Sequence, residues 1–187
     1  MKYFKKLEGE KIYLSPRSCE DAELFTKWFN DFNVTDYVNR SSMITTLQAE
    51  KEWLQNHCDE EASFVIIEKE TENMIGTISL EKINHLHRTA TLGVFIGDQQ
   101  ARHKGYGTEA IHLILEYGFR YLNLNNIALD VLEWNESAIH CYQKCGFKEC
   151  GRRRKCIFLD GAYYDRISMD MLAEEFKGEY IKNKRKW

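Results

Sequence analysis

Several things are scarce in this sequence, and each scarcity excludes a class of protein. Proline occurs once, at Pro16, so there is no proline-rich linker or extended polyproline segment. No apolar run approaches the ~18 residues of a membrane span, and "MKYFKKLEGEKIYL" has no signal-peptide core, so a soluble, cytoplasmic protein is expected. The net charge is only −3, too small a field to hold a nucleic-acid backbone, so any anion site must be local. No C-x-x-C pair occurs among Cys19, Cys58, Cys141, Cys145, Cys150 and Cys156, which argues against a zinc site. Cys141 and Cys145 lie one helical turn apart, but a metal would need two further ligands. A chain of this length has its own core and needs no disulfide scaffold, so reduced, buried thiols are expected. There is no internal repeat, low-complexity tract or interdomain break.

What is present suits one folded domain: 187 residues, 43% hydrophobic and 13% aromatic. "EKIYLSPR" alternates and reads as a first strand. "SCEDAELFTKWFNDF" reads as a helix capped by Ser18, with Leu24, Phe25, Trp28 and Phe29 as its stripe. "NVTDYVNRSSMI" has no strong period and reads as a connector or a substrate-lining segment. A second helix is expected over 45–60, with Leu47, Trp53 and Leu54 in the core. Strands over 63–70, 73–83 and 89–97 follow as an antiparallel meander, then a helix over 106–122 and a buried strand over 126–134. "NESAIHCYQKCGF" reads as a short helix ending at Gly146, and the rest as a hairpin turning at Asp160-Gly161. From about 178 the chain is expected to be a flexible basic tail. The order β-α-α-β-β-β-α-β-α-β-β implies a single-domain α/β fold: about seven strands in a mixed, mostly antiparallel sheet, flanked by about four helices.

The segment "FIGDQQARHKGYGTEAIHLIL" carries the most chemistry. Gly105-Tyr106-Gly107-Thr108-Glu109-Ala110 matches G-x-G-x-x-A, but a dinucleotide fold has that turn almost directly after its strand. Here eight residues, Asp98 to Gly105, follow Gly97, and no P-loop run is present. The loop still suits an anion. Glycines let backbone N–H groups approach a ligand, the next helix points its positive end there, and Arg102, His103 and Lys104 add charge. A plain glycine-eased turn with a solvated basic rim is the alternative.

"R-x-x-G-x-G" at Arg102, Gly105 and Gly107, followed by "NESAIHCYQKCGF", resembles the two signatures of the GNAT (GCN5-related) N-acetyltransferases. The resemblance spans almost the whole chain. It is nearest to the branch of ribosomal-protein N-terminal and spermidine acetyltransferases. It implies acetyl-CoA as cosubstrate, no metal, and direct attack of a primary amine on the thioester. It implies splayed fourth and fifth strands, "TATLGVFIG" and "NIALDVLEW", with the pantetheine arm in the gap. Backbone groups of Phe95, Ile96 and Gly97 would then meet the pantetheine. Amides of Arg102, His103, Lys104, Gly105, Tyr106, Gly107 and Thr108 would cradle the pyrophosphate, and Asn135 would touch the cofactor besides capping its helix. Tyr142 would give a proton to the departing thiolate, and an amide near Ile96 would meet the oxyanion.

For the general base, Glu81 leads. Asp130, Glu133, His85 and His87 are alternatives by location, and a water chain could serve instead. The spermidine branch often has a glutamate where this chain has Thr91, which weighs against a polyamine. "CDEE" (58–61), Asp31 and Asp36 could favour a cationic amine. The acceptor is therefore open among a protein N-terminus, a polyamine, an amino sugar and an antibiotic. The alternatives in other classes are an inactive acyl-CoA-binding module and an RNA-associated protein using Arg152, Arg153, Arg154 and the "KNKRKW" tail. Those arginines alternate along a strand, which makes nucleic acid a poor partner. The aromatic C-terminal hairpin is either core or a homodimer surface.

Overall fold

The computed structural model describes residues 2–38, 40–57 and 61–184. Its eight strands are β1 (Leu7–Glu8), β2 (Ile12–Pro16), β3 (Ser63–Glu68), β4 (Met74–Asn84), β5 (Thr89–Ile96), β6 (Asn126–Leu132), β7 (Lys148–Leu159) and β8 (Ala162–Leu172). They form one sheet in the order β1-β2-β3-β4-β5-β6-β8-β7. Its α-helices are α1 (Ala22–Phe29), α2 (Phe32–Thr35), α3 (Leu47–His57), α4 (Tyr106–Arg120) and α5 (Glu136–Cys145). The two elements beyond the expected seven and four are β1 and α2. One has two residues and the other four, too short for any period to register. The strands called fourth and fifth from the sequence are thus β5 and β6.

Every neighbouring pair is antiparallel except β5 and β6. That parallel pair holds for three residues only: Thr89, Ala90 and Thr91 face Asn126, Ile127 and Ala128. Beyond them the strands part. The sheet is therefore split from Leu92 to Ile96 on one side and Leu129 to Leu132 on the other.

The two faces of the sheet bury separate clusters. Alternation sends Ala90 and Leu92 of β5 to the side of α4 and α5, where Ile111, Ile114, Leu115 and Tyr142 pack. Phe95 goes to the other side, among Phe25, Trp28, Phe29 and Leu54 of α1 and α3. Ile111, Leu113, Ile114 and Leu115 are at most 1% exposed. At roughly 2 kcal/mol for each buried aliphatic side chain, α4 is anchored far beyond its own helix propensity.

Three details depart from the sequence reading. Trp53 is not core: it is 41% exposed, stacked on His57, with the Arg17 guanidinium 5.0 Å from its ring centre. Its place beside Leu54 is taken by Glu50, which is 4% exposed. The expected flexible tail is pinned as far as Lys184, and residues 185–187 lie outside the described residues. Glu116, fully buried in α4, accepts from the Ile181 N–H at 3.0 Å, from the Tyr180 N–H, and from Lys184 Nζ at 2.7 Å. The Lys182 N–H bonds the Glu8 carbonyl at 2.7 Å. A buried carboxylate needs such partners, and no 3.6-residue pattern announces them. The hairpin turns as expected, with Asp160 and Gly161 at φ 49° and 79°, the pair a type I′ turn requires. Ile157, Ile167, Met169 and Met171 of that hairpin are core, while Phe158 and Tyr163 near its tip are over 60% exposed.

Candidate functional site

The split in the sheet is where the expected residues converge. Gly97 directly follows β5, and its N–H bonds the Ile75 carbonyl of β4 at 3.0 Å. Strand alternation then turns the Phe95 backbone toward β4 as well, and leaves Val94 and Ile96 facing the gap. Of the three strand-end residues expected to offer backbone groups, Ile96 turns its backbone to the gap, and Phe95 and Gly97 turn theirs to β4. Phe95 instead packs its ring on Trp28 and Phe29, with centroids 5.9 Å and 5.5 Å away. Gly97 is glycine for a packing reason: a Cβ there would lie 2.1 Å from the Trp28 indole. The Ile96 carbonyl accepts from Arg102 Nε at 3.3 Å.

The loop after Gly97 is shaped by a single 3₁₀ turn (Gln99–Ala101), capped by Asp98 accepting from the Gln100 N–H. His103 and Gly105 then adopt φ 61° and 86° and deliver the chain into α4. Gly105 occupies the N-cap position and has no side chain to cap with. The first backbone bond of the helix runs from the Glu109 N–H to the Gly105 carbonyl at 3.0 Å. The N–H groups of Tyr106, Gly107 and Thr108 therefore have no intrahelical acceptor, at the positive end of a 15-residue helix. Arg102 stands half-buried beside them, and His103 and Lys104 are exposed at the rim. The Tyr106 side chain is turned away and its hydroxyl donates to Glu68, so its share in the cradle is its backbone.

Gly107 is the informative residue. Its backbone is ordinary right-handed helix, and a Cβ would meet only Ile96 Cγ1, at an ordinary 3.9 Å. Nothing in the folded chain demands glycine there. A phosphate pressed against the backbone does. The residues present therefore fit a diphosphate.

Helix α5 closes the same corner. Asn135 caps it, accepting from the Ala138 N–H at 3.2 Å. Cys141 Sγ lies 3.2 Å from Thr108 Oγ1, so α5 sits directly on the first turn of α4. Tyr142, the next residue, is 8% exposed, and its hydroxyl has no hydrogen-bond partner among the described residues. Burial raises its pKa, aided by the neighbouring Cys141 and Cys145 thiols, so it stays protonated at neutral pH.

On the opposite face of the sheet, strand register assembles carboxylates around the point where β5 and β6 part. Glu81 pairs with Thr91, Thr91 with Ala128, and Ala128 with Asp170. Paired residues share a face, so Glu81 and Asp170 flank the fork. Asp130 stands two residues further along β6 and accepts from Ser168 Oγ at 2.7 Å. Glu81 is exposed and accepts from Ser79 Oγ at 3.0 Å. It also lines a recess of about 440 Å³ with Arg17, Trp53, His57, Glu61 and Ile83. A larger recess, about 700 Å³, lies on the outer side of the loop among Glu68, Lys104 and Tyr106, away from the split.

The remaining base candidates have other duties. Glu133 accepts from the Asp165 N–H at 2.7 Å and pairs with Arg152 at 3.4 Å. His85 pairs with Glu61 at 3.0 Å. His87 and Asp36 stand apart from the fork; Asp36 accepts from Ser41. Asp31 caps α2 and accepts from Gln99 Nε2 at 3.0 Å, tying that turn to the glycine loop; the Asn33 amide holds its carboxyl below the usual range. Of "CDEE", residues 58–60 lie outside the described residues. Among the described residues no cluster of metal-ligating side chains occurs, and no helix is long and apolar enough to cross a membrane. Asp170, Asp31's link to Gln99 and the Glu61 recess escaped the sequence reading, because each is made by residues far apart in the chain.

Comparison with known proteins agrees with this geometry. Residues 11–148 match the family model described as an acetyltransferase (GNAT) domain. The chain is 35% identical to the spermidine N(1)-acetyltransferase of Vibrio cholerae over 120 residues, covering 64% of this chain and 68% of that protein. It is 36% identical to the Escherichia coli enzyme of the same name over 105 residues, covering 56% of each. A solved spermidine N-acetyltransferase from Vibrio cholerae, in complex with CoA and spermine, superposes with a TM-score of 0.80 at 28% identity. That superposition covers 88% of this chain and 97% of the other.

Proposed function

The chain belongs to the GNAT acetyltransferase family and is an acetyl-CoA-dependent N-acetyltransferase, and we propose that its acceptor is a primary amine of an aliphatic polyamine. The observation that carries the acceptor is the pair of carboxylates, Glu81 and Asp170, set by register on either side of the fork in the sheet. A polyamine is a chain of ammonium groups and needs anions at intervals. Asp130, on the same face of β6, adds a further carboxylate, and Glu61 lines the recess beside Glu81. The named activity of the Vibrio cholerae and Escherichia coli relatives supports the same reading. Thr91 is uncharged, but its neighbour Glu81 supplies a carboxylate in the same row.

In this reading acetyl-CoA lies in the split. Its pyrophosphate meets the N–H groups of Tyr106, Gly107 and Thr108, with Arg102, His103 and Lys104 adding charge and Asn135 contributing from α5. Glu81 takes a proton from the attacking ammonium, directly or through water, since an amine of pKa near 10 is otherwise charged. The free amine then attacks the acetyl carbonyl carbon. The Ile96 amide, facing the gap, stabilises the oxyanion. The C–N bond forms, the C–S bond breaks, and the thiolate takes the Tyr142 proton. No protein nucleophile is required. The reaction suits a cytoplasmic enzyme, where acetyl-CoA and polyamines meet.

The test is release of CoA thiol from acetyl-CoA with spermidine, spermine, amino sugars, aminoglycosides and peptides bearing free N-termini. Preference for the polyamines is the expected result, with KM for the amine raised by Asp170→Asn and kcat/KM for the amine lowered by Glu81→Gln. Turnover of a peptide or sugar with no effect of either substitution overturns the acceptor.

A further inference from the structure

Two sulfurs stand at the joint of α4 and α5, and the acetyl-transfer reaction uses neither. Cys141 is half-buried, with its Sγ 3.2 Å from Thr108 Oγ1. Cys145, one helical turn on and 8% exposed, places its Sγ 4.0 Å from the Thr108 carbonyl. Both thiols therefore bear on the residue whose amide belongs to the anion cradle. The turn between them carries Tyr142.

We propose that Cys141 and Cys145 form a hydroperoxide-sensitive thiol pair whose oxidation to a disulfide loosens the acetyl-CoA site.

The two cysteines differ in the way such a pair requires. Interaction with the Cys145 thiol and with the Thr108 hydroxyl lowers the pKa of Cys141 despite its burial, and Lys144 and His140 add positive charge. The first turn of α4 presents its free N–H end beside it. The Cys145 thiol is pushed up by that same interaction and by burial. Cys141, the less buried of the two and the one set against the Thr108 hydroxyl at the start of α4, is the attacking sulfur, and the more deeply buried Cys145 the resolving one. The exposed Cys150 is a poorer nucleophile, because burial of its sulfur and the charge of Asp170 raise its pKa. The chemistry balances with one hydroperoxide. The Cys141 thiolate attacks a peroxide oxygen, the O–O bond breaks, and water leaves after protonation, giving a sulfenic acid. Cys145 sulfur attacks that sulfur, the S–S bond forms, and a second water departs. Two thiols are oxidised and one peroxide is reduced.

The location also makes the bond feasible. Cβ atoms four residues apart on a regular helix stand about 5–6 Å from each other, beyond the roughly 3.5–4.5 Å of a disulfide, so the turn between them must open. Cys145 is the last residue of α5, followed by Gly146 at φ 102°. Only the final turn has to unwind, breaking the Phe147 N–H bond to the Tyr142 carbonyl. The same movement draws Cys141 off Thr108.

The experiment treats the full chain with equimolar hydrogen peroxide, removes the excess with catalase, and reads two things. The first is tryptic mass spectrometry. Lys144 separates the two cysteines, so the disulfide appears as peptide 121–144 joined to 145–148, a species absent after dithiothreitol. The second is the concentration of acetyl-CoA giving half its full rise in melting temperature, a readout independent of the acceptor. Expected are the joined peptide and a rise in that concentration of about ten-fold, the loss of one good contact, both reversed by dithiothreitol. Cys141→Ser should show neither. Absence of the 121–144/145–148 species, or its formation with acetyl-CoA binding unchanged, overturns the proposal. If acetyl-CoA stabilises neither reduced nor oxidised protein, the cofactor site itself has been misassigned.

Discussion

On the α4–α5 side of the split sheet, the groups proposed to meet the cofactor are mostly backbone amides in one short loop. On the α1–α3 side, the groups proposed to face the acceptor are side chains from β4, β6 and β8, with Trp53 and Glu61 beside them. The first site is continuous in sequence and rigid. A left-handed Gly105, a spare Gly107 and an uncapped helix define it, whatever lies elsewhere. The second exists only once four strands are in register. An anion cradle made of backbone cannot be altered without changing the fold, whereas an acceptor pocket made of side chains can change one residue at a time.

Four substitutions sharpen or break this contrast. Tyr142→Phe should lower kcat about a hundred-fold while leaving acetyl-CoA binding intact, since only a proton donor is removed. Equal loss of cofactor affinity would make Tyr142 a packing residue. Glu116→Ala should cost about 3 kcal/mol of stability in urea unfolding, because it strips the partner from Lys184 and two N–H groups under the cofactor half. Burial alone would raise the Glu116 pKa, but Lys184 and the Tyr180 and Ile181 amides outweigh it, and the net shift is downward. Its contribution is therefore complete above the usual carboxylate range and is lost as pH falls from that range down through the lowered native pKa, a loss the substitution should abolish. Glu81→Gln should lower kcat/KM for the amine about ten-fold, through the acceptor half alone. An effect on acetyl-CoA affinity would join the two halves. Gly107→Ala should raise stability by up to about 1 kcal/mol, because alanine favours the helix, while weakening acetyl-CoA several-fold. Weaker folding with unchanged binding would mean that glycine serves the fold there after all.

The same contrast explains what the sequence made legible. The glycine loop, α4, the Asn135–Gly146 helix and the Asp160-Gly161 turn are encoded by neighbours, and all were readable. Glu81 could be put first by its location, but its companion Asp170 could not be named, because the row that joins them runs through Thr91 and Ala128 across the sheet. The family resemblance assigns backbone groups of Phe95 and Gly97 to the cofactor, but that their backbone is turned to β4 and their packing to Trp28 depends on elements distant in the chain and could not be read. The pinned C-terminal segment was illegible because its anchor, Glu116, reads in isolation as one more polar residue on an amphipathic helix.

The tight contact of Trp28 with Gly97 has an optical consequence. Trp28 is 5% exposed and lies flat on the hinge between β5 and the glycine loop, while Trp53 lies half-exposed beside the Glu81 recess. Each half of the reaction thus carries its own indole, one shielded and one wet. With Trp134 and Trp187 replaced by phenylalanine, emission from Trp28 should follow the seating of the loop and iodide quenching of Trp53 the occupation of the recess, so the order in which the two substrates arrive can be watched without any label.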